Sequence, residues 1–242
     1  MAASVKQTSY HRKSALTAGI SLIIMALAAF FSYGLVHGSL VVQGDAGTTF
    51  NNLVSSTHLF QAEIFGWIII AITDILVAWA FYVFLQSVNK SLSLLGAWLR
   101  LIYTAILGMA ILCLIIVMLL SRQANYLSSF TIEQTQALMM LFLDAFESIW
   151  SIGLIIFGGH LMVVGYLACK SDRIPKVFGV LLLLAAIGYM AIHLSKSFLP
   201  QYDEAISILN LIFTVPMIAG ELGFGIWLLF RGGMKPLLDS AQ

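Results

Sequence analysis

Eight ionisable side chains fall inside stretches that are otherwise apolar: Glu63, Asp74, Arg100, Asp144, Glu147, His160, His193 and Glu221. Each costs roughly 2.5–3.5 kcal/mol in hydrocarbon on insertion scales, so such groups turn toward a bundle interior and either pair or meet a ligand. Their helical spacing tests whether they converge. Glu63 and Asp74 are eleven residues apart, which brings them back to within about 20° of one helix face. Asn210 and Glu221 repeat that separation, with Thr214 near the same face. Arg100, Tyr103 and Thr104 form a stripe, and so do Asp144, Glu147, Ser148 and Ser151. Four helices therefore each present a polar stripe, the pattern expected of an interior polar core.

The chemistry open to these groups is limited. Arginine does not shed its proton, so Arg100 requires an anion or carbonyls around it. Depth along the helices puts Asp74, Arg100 and Glu221 in one half of the bilayer, and they form the expected inner charge cluster, with Tyr103, Thr104, Asn210 and Thr214 as its supporting polar residues. Glu63, Asp144 and Glu147 form an outer polar cluster, in which neighbouring carboxylates can share a proton or hold a cation. Pro216, Gly220, Gly223 and Gly225 around Glu221 predict a kinked helix with close backbone approach. A haem needs two histidines facing each other at one depth, and His160 and His193 lie about 20 Å apart along the membrane normal by helical rise. His160 also faces away from Asp144 and Glu147, so it reads as interfacial or packed. No metal site, no cofactor and no catalytic residue set is expected: the chain has no HExxH, GxSxG, Walker or dinucleotide glycine motif and no Cys/His array. Cys113 and Cys169 lie at different depths and predict neither a disulfide nor a metal pair.

The elements that position these residues follow from composition. Of 242 residues 60% are hydrophobic and 10% charged, and the mean hydropathy is +0.98, values that belong in lipid rather than in a soluble domain. About 20 apolar residues cross a hydrocarbon core as a helix, and six stretches qualify, roughly 15–36, 62–85, 94–120, 137–167, 177–194 and 205–230. The expectation is an all-α, single-domain protein with six transmembrane helices and an outer loop at 37–61. Phe50, Leu53, Val54 and Leu59 in that loop suit a plain linker or an interfacial helix equally well. Thr131 and Gln134 have capping-box spacing. Trp67 and Trp227 read as anchors near the membrane interfaces.

Orientation is read from the basic residues. With the N-terminus inside, nine fall on the inner side (Lys6, Arg12, Lys13, Lys90, Lys170, Arg173, Lys176, Arg231, Lys235) and two on the outer, Arg122 and Lys196, which predicts both termini in the cytoplasm. The net charge of +1 implies no nucleic-acid partner.

Three segments, LGAWLRLIY, RIPKVFGVLLLLAAIGY and ELGFGIWLLFRG, resemble the DUF4386 family of six-helix bacterial membrane proteins, over roughly Arg12 to Gly233. The resemblance implies a multi-pass protein of the bacterial cytoplasmic membrane and puts Arg100, Pro175, Gly179 and Glu221 at family-like positions. It implies no reaction. The leading expectation is binding, sensing or passage of a small-molecule ligand or proton through the polar core. The alternatives are an intramembrane enzyme using buried carboxylates and a structural accessory subunit of a membrane complex. Membrane lipids are expected partners, and a second copy or another membrane protein remains open.

Overall fold

The computed structural model describes residues 2–122 and 128–234, with side chains from His11 onward. Lys235, the side chain of Lys6 and residues 123–127 of one connection lie outside the described residues. The chain is all helical there. Helix α1 (Ala2–Ala29) runs without a break into a π-helical stretch, Phe30–His37, and a final turn, α2 (Gly38–Leu40). Then follow α3 (Ala46–Ser55), α4 (Thr57–Leu85), α5 (Lys90–Ser121), α6 (Ile132–Lys170), α7 (Lys176–Phe198) and α8 (Asp203–Phe230). Among the described residues six helices are long and apolar enough to cross a membrane: His11–Leu40, α4, α5, α6, α7 and α8. The protein is a multi-pass helical membrane protein.

The ends of these helices are set by local chemistry. Asn89 accepts the Leu92 N–H at 3.0 Å and starts α5. Thr131 and Gln134 form the reciprocal capping box at the start of α6. Asp45 caps α3, accepting the Thr48 N–H at 2.9 Å and the Thr48 hydroxyl at 2.7 Å.

Each long helix packs against the next, α1 against α4, then α4–α5, α5–α6, α6–α7 and α7–α8, and α8 returns to α1 to close the ring. Glycine permits the tightest of these approaches. A Cβ on Gly179 would stand 2.8 Å from the Cys169 amide nitrogen and 3.0 Å from the Gly165 carbonyl, so α6 and α7 meet backbone to backbone there. A Cβ on Gly19 would meet the Gly225 carbonyl at 2.8 Å, and this is where α1 touches α8. Arg12 secures the same junction, its guanidinium donating to the carbonyls of Leu228, Leu229 and Gly232 at 3.2, 2.8 and 2.8 Å, at the negative end of the α8 dipole.

Two expectations are corrected. The loop predicted at 37–61 is shorter, because α1 continues through Leu40 and α4 begins at Thr57. Its helix α3 folds back on the bundle rather than lying free at an interface: Phe50 and Leu53 are buried in the core, and the Asn52 amide donates to the Leu40 carbonyl at 3.2 Å. Trp67 is no interfacial anchor either. It is 1% exposed, enclosed by Tyr33, Phe146 and Trp150, because a helix that starts ten residues before it carries it inward.

Substituting Gly179 by valine forces overpacking that costs about 1–3 kcal/mol, and the expected result is a lower thermal midpoint of the purified protein in detergent than for Gly179→Ala. Around Asp45, the Thr48 N–H and then its hydroxyl hold the carboxyl below its usual value. A depressed value means that the cap stabilises α3 above the unfolded value and is lost as pH falls through the folded one. The protection factor of the Thr48 amide, its exchange rate corrected for the intrinsic pH dependence, should therefore fall on acidification below about pH 4 and lose that step in Asp45→Ala.

Candidate functional site

Asp74 on α4 and Arg100 on α5 are fully buried and form an ion pair, with Arg100 Nε and Nη2 both reaching Asp74 Oδ1 at 2.8 and 2.7 Å. The remaining guanidinium nitrogen, Nη1, lies 3.0 Å from His160 Nε2 on α6. His160 Nδ1 is 2.8 Å from the Gly96 carbonyl, which can only accept, so the proton sits on Nδ1 and Nε2 accepts from arginine. Arg100 also lies over the rings of Phe157 and Phe81, 5.2 and 6.0 Å from their centroids. The second oxygen of Asp74, Oδ2, is buried and has no hydrogen-bond partner among the described residues.

Glu221 is placed differently from the expectation that it meets Arg100. It accepts the Tyr189 hydroxyl of α7 at 2.8 Å. The supporting residues divide. Tyr103 joins the site, its oxygen receiving the Trp150 N–H at 3.4 Å. Thr104, Asn210 and Thr214 turn back to carbonyls of their own helices, those of Arg100, Ile206 and Asn210, and Thr214 is exposed.

About 16 Å away along α4, by helical rise over eleven residues, stands a second polar layer. Glu63 is fully buried, 2.7 Å from His37 Nδ1, and Trp67 Nε1–H donates to it at 3.4 Å. His37 Nε2 faces Glu147 at 3.6 Å, and the Tyr33 hydroxyl donates to Glu147 at 3.4 Å. Glu63 Oε2 and the Ser32 hydroxyl of the π-helical stretch are both buried without hydrogen-bond partners among the described residues. Asp144 is exposed and stands apart from this network. The π-helical stretch supplies the link, bringing Tyr33 and His37 inward as a stacked pair with centroids 5.5 Å apart; such segments recur at functional sites. On α6, Ser151 Oγ is 2.9 Å from His193 Nδ1 of α7.

A cavity of about 1120 Å³ connects the layers, lined among others by Asp74, Tyr103, Trp150, Tyr189, Glu221 and Glu147. A second space of about 590 Å³ opens at the far side, between Tyr33, His37, Asp144, Glu147 and Lys196. Tyr33, Glu147, Ser148 and Lys196 line both, so the two spaces adjoin at these polar residues. Among the described residues no three His, Cys, Asp or Glu side chains are grouped to hold a metal ion.

Sequence reasoning missed His37, Tyr33, Tyr189 and the bond from His160 to Arg100. His37 carried a usable signal: it lies four residues after Tyr33 and would have joined the first span had that span been extended by one turn. His160 carried none, since its angle was measured only against carboxylates of its own helix.

The DUF4386 family, described as a domain of unknown function, matches residues 17–232. An uncharacterised protein from Archaeoglobus fulgidus is 30% identical over 170 residues, which are 70% of this chain and 83% of that protein. No solved structure matches.

Removing one partner of a buried ion pair leaves the other charge uncompensated, at a cost of about 3–5 kcal/mol. Arg100→Leu should lose stability on that scale in equilibrium unfolding from detergent micelles, whereas the combined Asp74→Leu, Arg100→Met variant should lose markedly less. Equal losses in the two would show that the pair contributes packing and little electrostatics.

Proposed function

The chain belongs to the DUF4386 family, and from the arrangement of its buried charges we propose that it is a ligand-binding protein of the bacterial cytoplasmic membrane, built as one six-span domain with both termini in the cytoplasm. The nine-to-two distribution of basic residues supports that orientation. It places the Asp74–Arg100 layer toward the cytoplasm and the His37–Glu63–Glu147 layer toward the outside.

One observation carries the binding reading. Asp74 lines the large cavity and keeps a buried oxygen free of any partner, although Arg100 lies against it. A pair that served only to join helices would gain by engaging both oxygens, since an unmet buried acceptor costs on the order of 1–3 kcal/mol. The free oxygen, the Tyr103 hydroxyl and the Glu221 carboxyl converge on one space large enough for a small molecule. The chemistry is recognition by hydrogen bond and charge. Ser151 and His193 form a hydroxyl–imidazole pair at 2.9 Å on the same wall; among the described residues no carboxylate hydrogen-bonds that imidazole, as the orienting group of an activated nucleophile would.

Mass spectrometry of small molecules released from the purified protein tests this. The wild-type chain should yield a near-stoichiometric compound that is absent from Asp74→Asn and diminished in Glu221→Gln, with both variants eluting as folded protein. Identical released material from all three proteins would remove the cavity as a binding site and leave the ion pair as an interhelical tie.

A further inference from the structure

The walls of the cavity differ in character, and the difference indicates what enters and from where. Its α4, α5 and α7 sides contribute Asp74, Tyr103, Tyr189 and His193, whereas α1 with Phe30 just after it, and α8 apart from Glu221, contribute apolar residues, among them Leu27, Met217 and Ile218. Leu27 and Phe30 line the cavity and are each 65% exposed, and Ile218, across from them on α8, is 56% exposed. A side chain that both lines a cavity and is more than half exposed stands at its mouth. The mouth therefore lies between α1 and α8, at mid-membrane depth, and opens sideways onto lipid.

The same two helices are closed at the terminal side by the Gly19–Gly225 contact and by Arg12. Beyond it they separate. From Ser207 to Ala219 α8 has no buried residue. The gap is thus confined to one flank and one half of the bundle.

Two carboxyl groups, Asp74 and Glu221, line the inner end of the cavity; Asp74 is paired with the Arg100 guanidinium, whereas Glu221 accepts the uncharged Tyr189 hydroxyl. Arg100 directs two nitrogens to Asp74 and the third to His160, and is itself fully buried, so none of its charge is offered to an incoming anion. That end lacks one positive charge or one proton, and it holds an unpartnered acceptor at Asp74 Oδ2.

We propose, resting on the binding reading above, that the cavity takes a single-chain amphiphile with a protonated amine head, admitted sideways from the bilayer between α1 and α8, its head received by Asp74 and Glu221 and its chain lying along Leu27, Phe30 and Ile218. The head replaces the missing charge, and the chain exchanges lipid for an apolar wall, so entry requires no dehydration of the tail.

Tritiated dodecylammonium offered to the full chain in lipid nanodiscs, with protein-free nanodiscs as the baseline for partitioning, tests the assignment. The expected result is saturable binding that dodecanoate does not displace and that weakens by about tenfold or more in Glu221→Gln, the loss of one charge pair. Glu221→Gln keeps an acceptor for Tyr189 and is the variant of choice should Asp74→Asn fail to fold. The double variant Leu27→Trp, Ile218→Trp narrows the mouth without touching the charged end. It should slow association about tenfold while leaving the equilibrium affinity within about threefold. Uptake no greater than in empty nanodiscs, or displacement by dodecanoate, overturns the amine amphiphile; an Asp74-dependent compound released from purified protein would in that case still uphold the site. Unchanged association in the double variant overturns the lateral route. Binding that ignores both Asp74→Asn and Glu221→Gln overturns the receiving carboxyl groups and, with them, the ligand class and the binding reading, whichever way the ligand enters.

Discussion

A guanidinium buried in a membrane protein must find all its partners within the chain, and the placement of Arg100 organises the helices around it. Asp74 supplies the countercharge from α4, His160 an acceptor from α6, and Phe81 and Phe157 ring faces from α4 and α6. His160 can accept only because the Gly96 carbonyl, one turn before Arg100 on α5, holds its other nitrogen. Three helices are thereby fixed in rotation and in register. The cost of taking two charges out of water is offset only when such secondary bonds are in place, and here every nitrogen of the arginine is engaged while one oxygen of the aspartate is not. That asymmetry leaves a polar atom facing the cavity.

The second layer has the same logic, with an imidazole between two carboxyl groups in place of the guanidinium. His37 stands between Glu63, which is wholly buried, and Glu147, which is not. Tyr33, Trp67, Phe146 and Trp150 pack edge to face around them, with centroids 4.9 to 6.2 Å apart. Such rings give an apolar wall while supplying the Trp67 N–H and the Tyr33 hydroxyl as donors. The two layers share the face of α4 that carries Glu63 and Asp74.

Much of this was legible in the residues themselves. Six long apolar runs can satisfy their backbones only as helices, and the eleven-residue spacing of Glu63 and Asp74 foretold one shared face. The meeting of Asp74 with Arg100 followed from depth, because few groups stand at the level of an obligate cation. Glu221 went elsewhere for a reason depth cannot supply: α8 touches α7 and α1, and Tyr189 on α7 is the nearer donor. Asn210 and Thr214 shared the angle of Glu221, yet they lie on the part of α8 that leaves the ring, where their own backbone is the available partner. Helix neighbours, unlike helix faces, are not encoded in periodicity. The inward turn of His37 depended on a π-helical stretch, which shifts every later residue around the axis relative to an α-helical count.

Proline 216 lies inside α8 just before the helix leaves the junction with α1. On the terminal side of it Gly220, Phe224, Gly225 and Leu228 are buried; on the other side Ile206 alone is buried, and Phe213 fits against Gly188. Mechanically this is a lever with a clamped root and a lightly held arm. The arm from Asp203 to Pro216 is about 20 Å long by helical rise, so a rotation of about 10° at the root displaces its tip by roughly 3 Å. Bulk at Gly188 would set the resting angle of that arm, although the residue lies on another helix and outside the cavity wall.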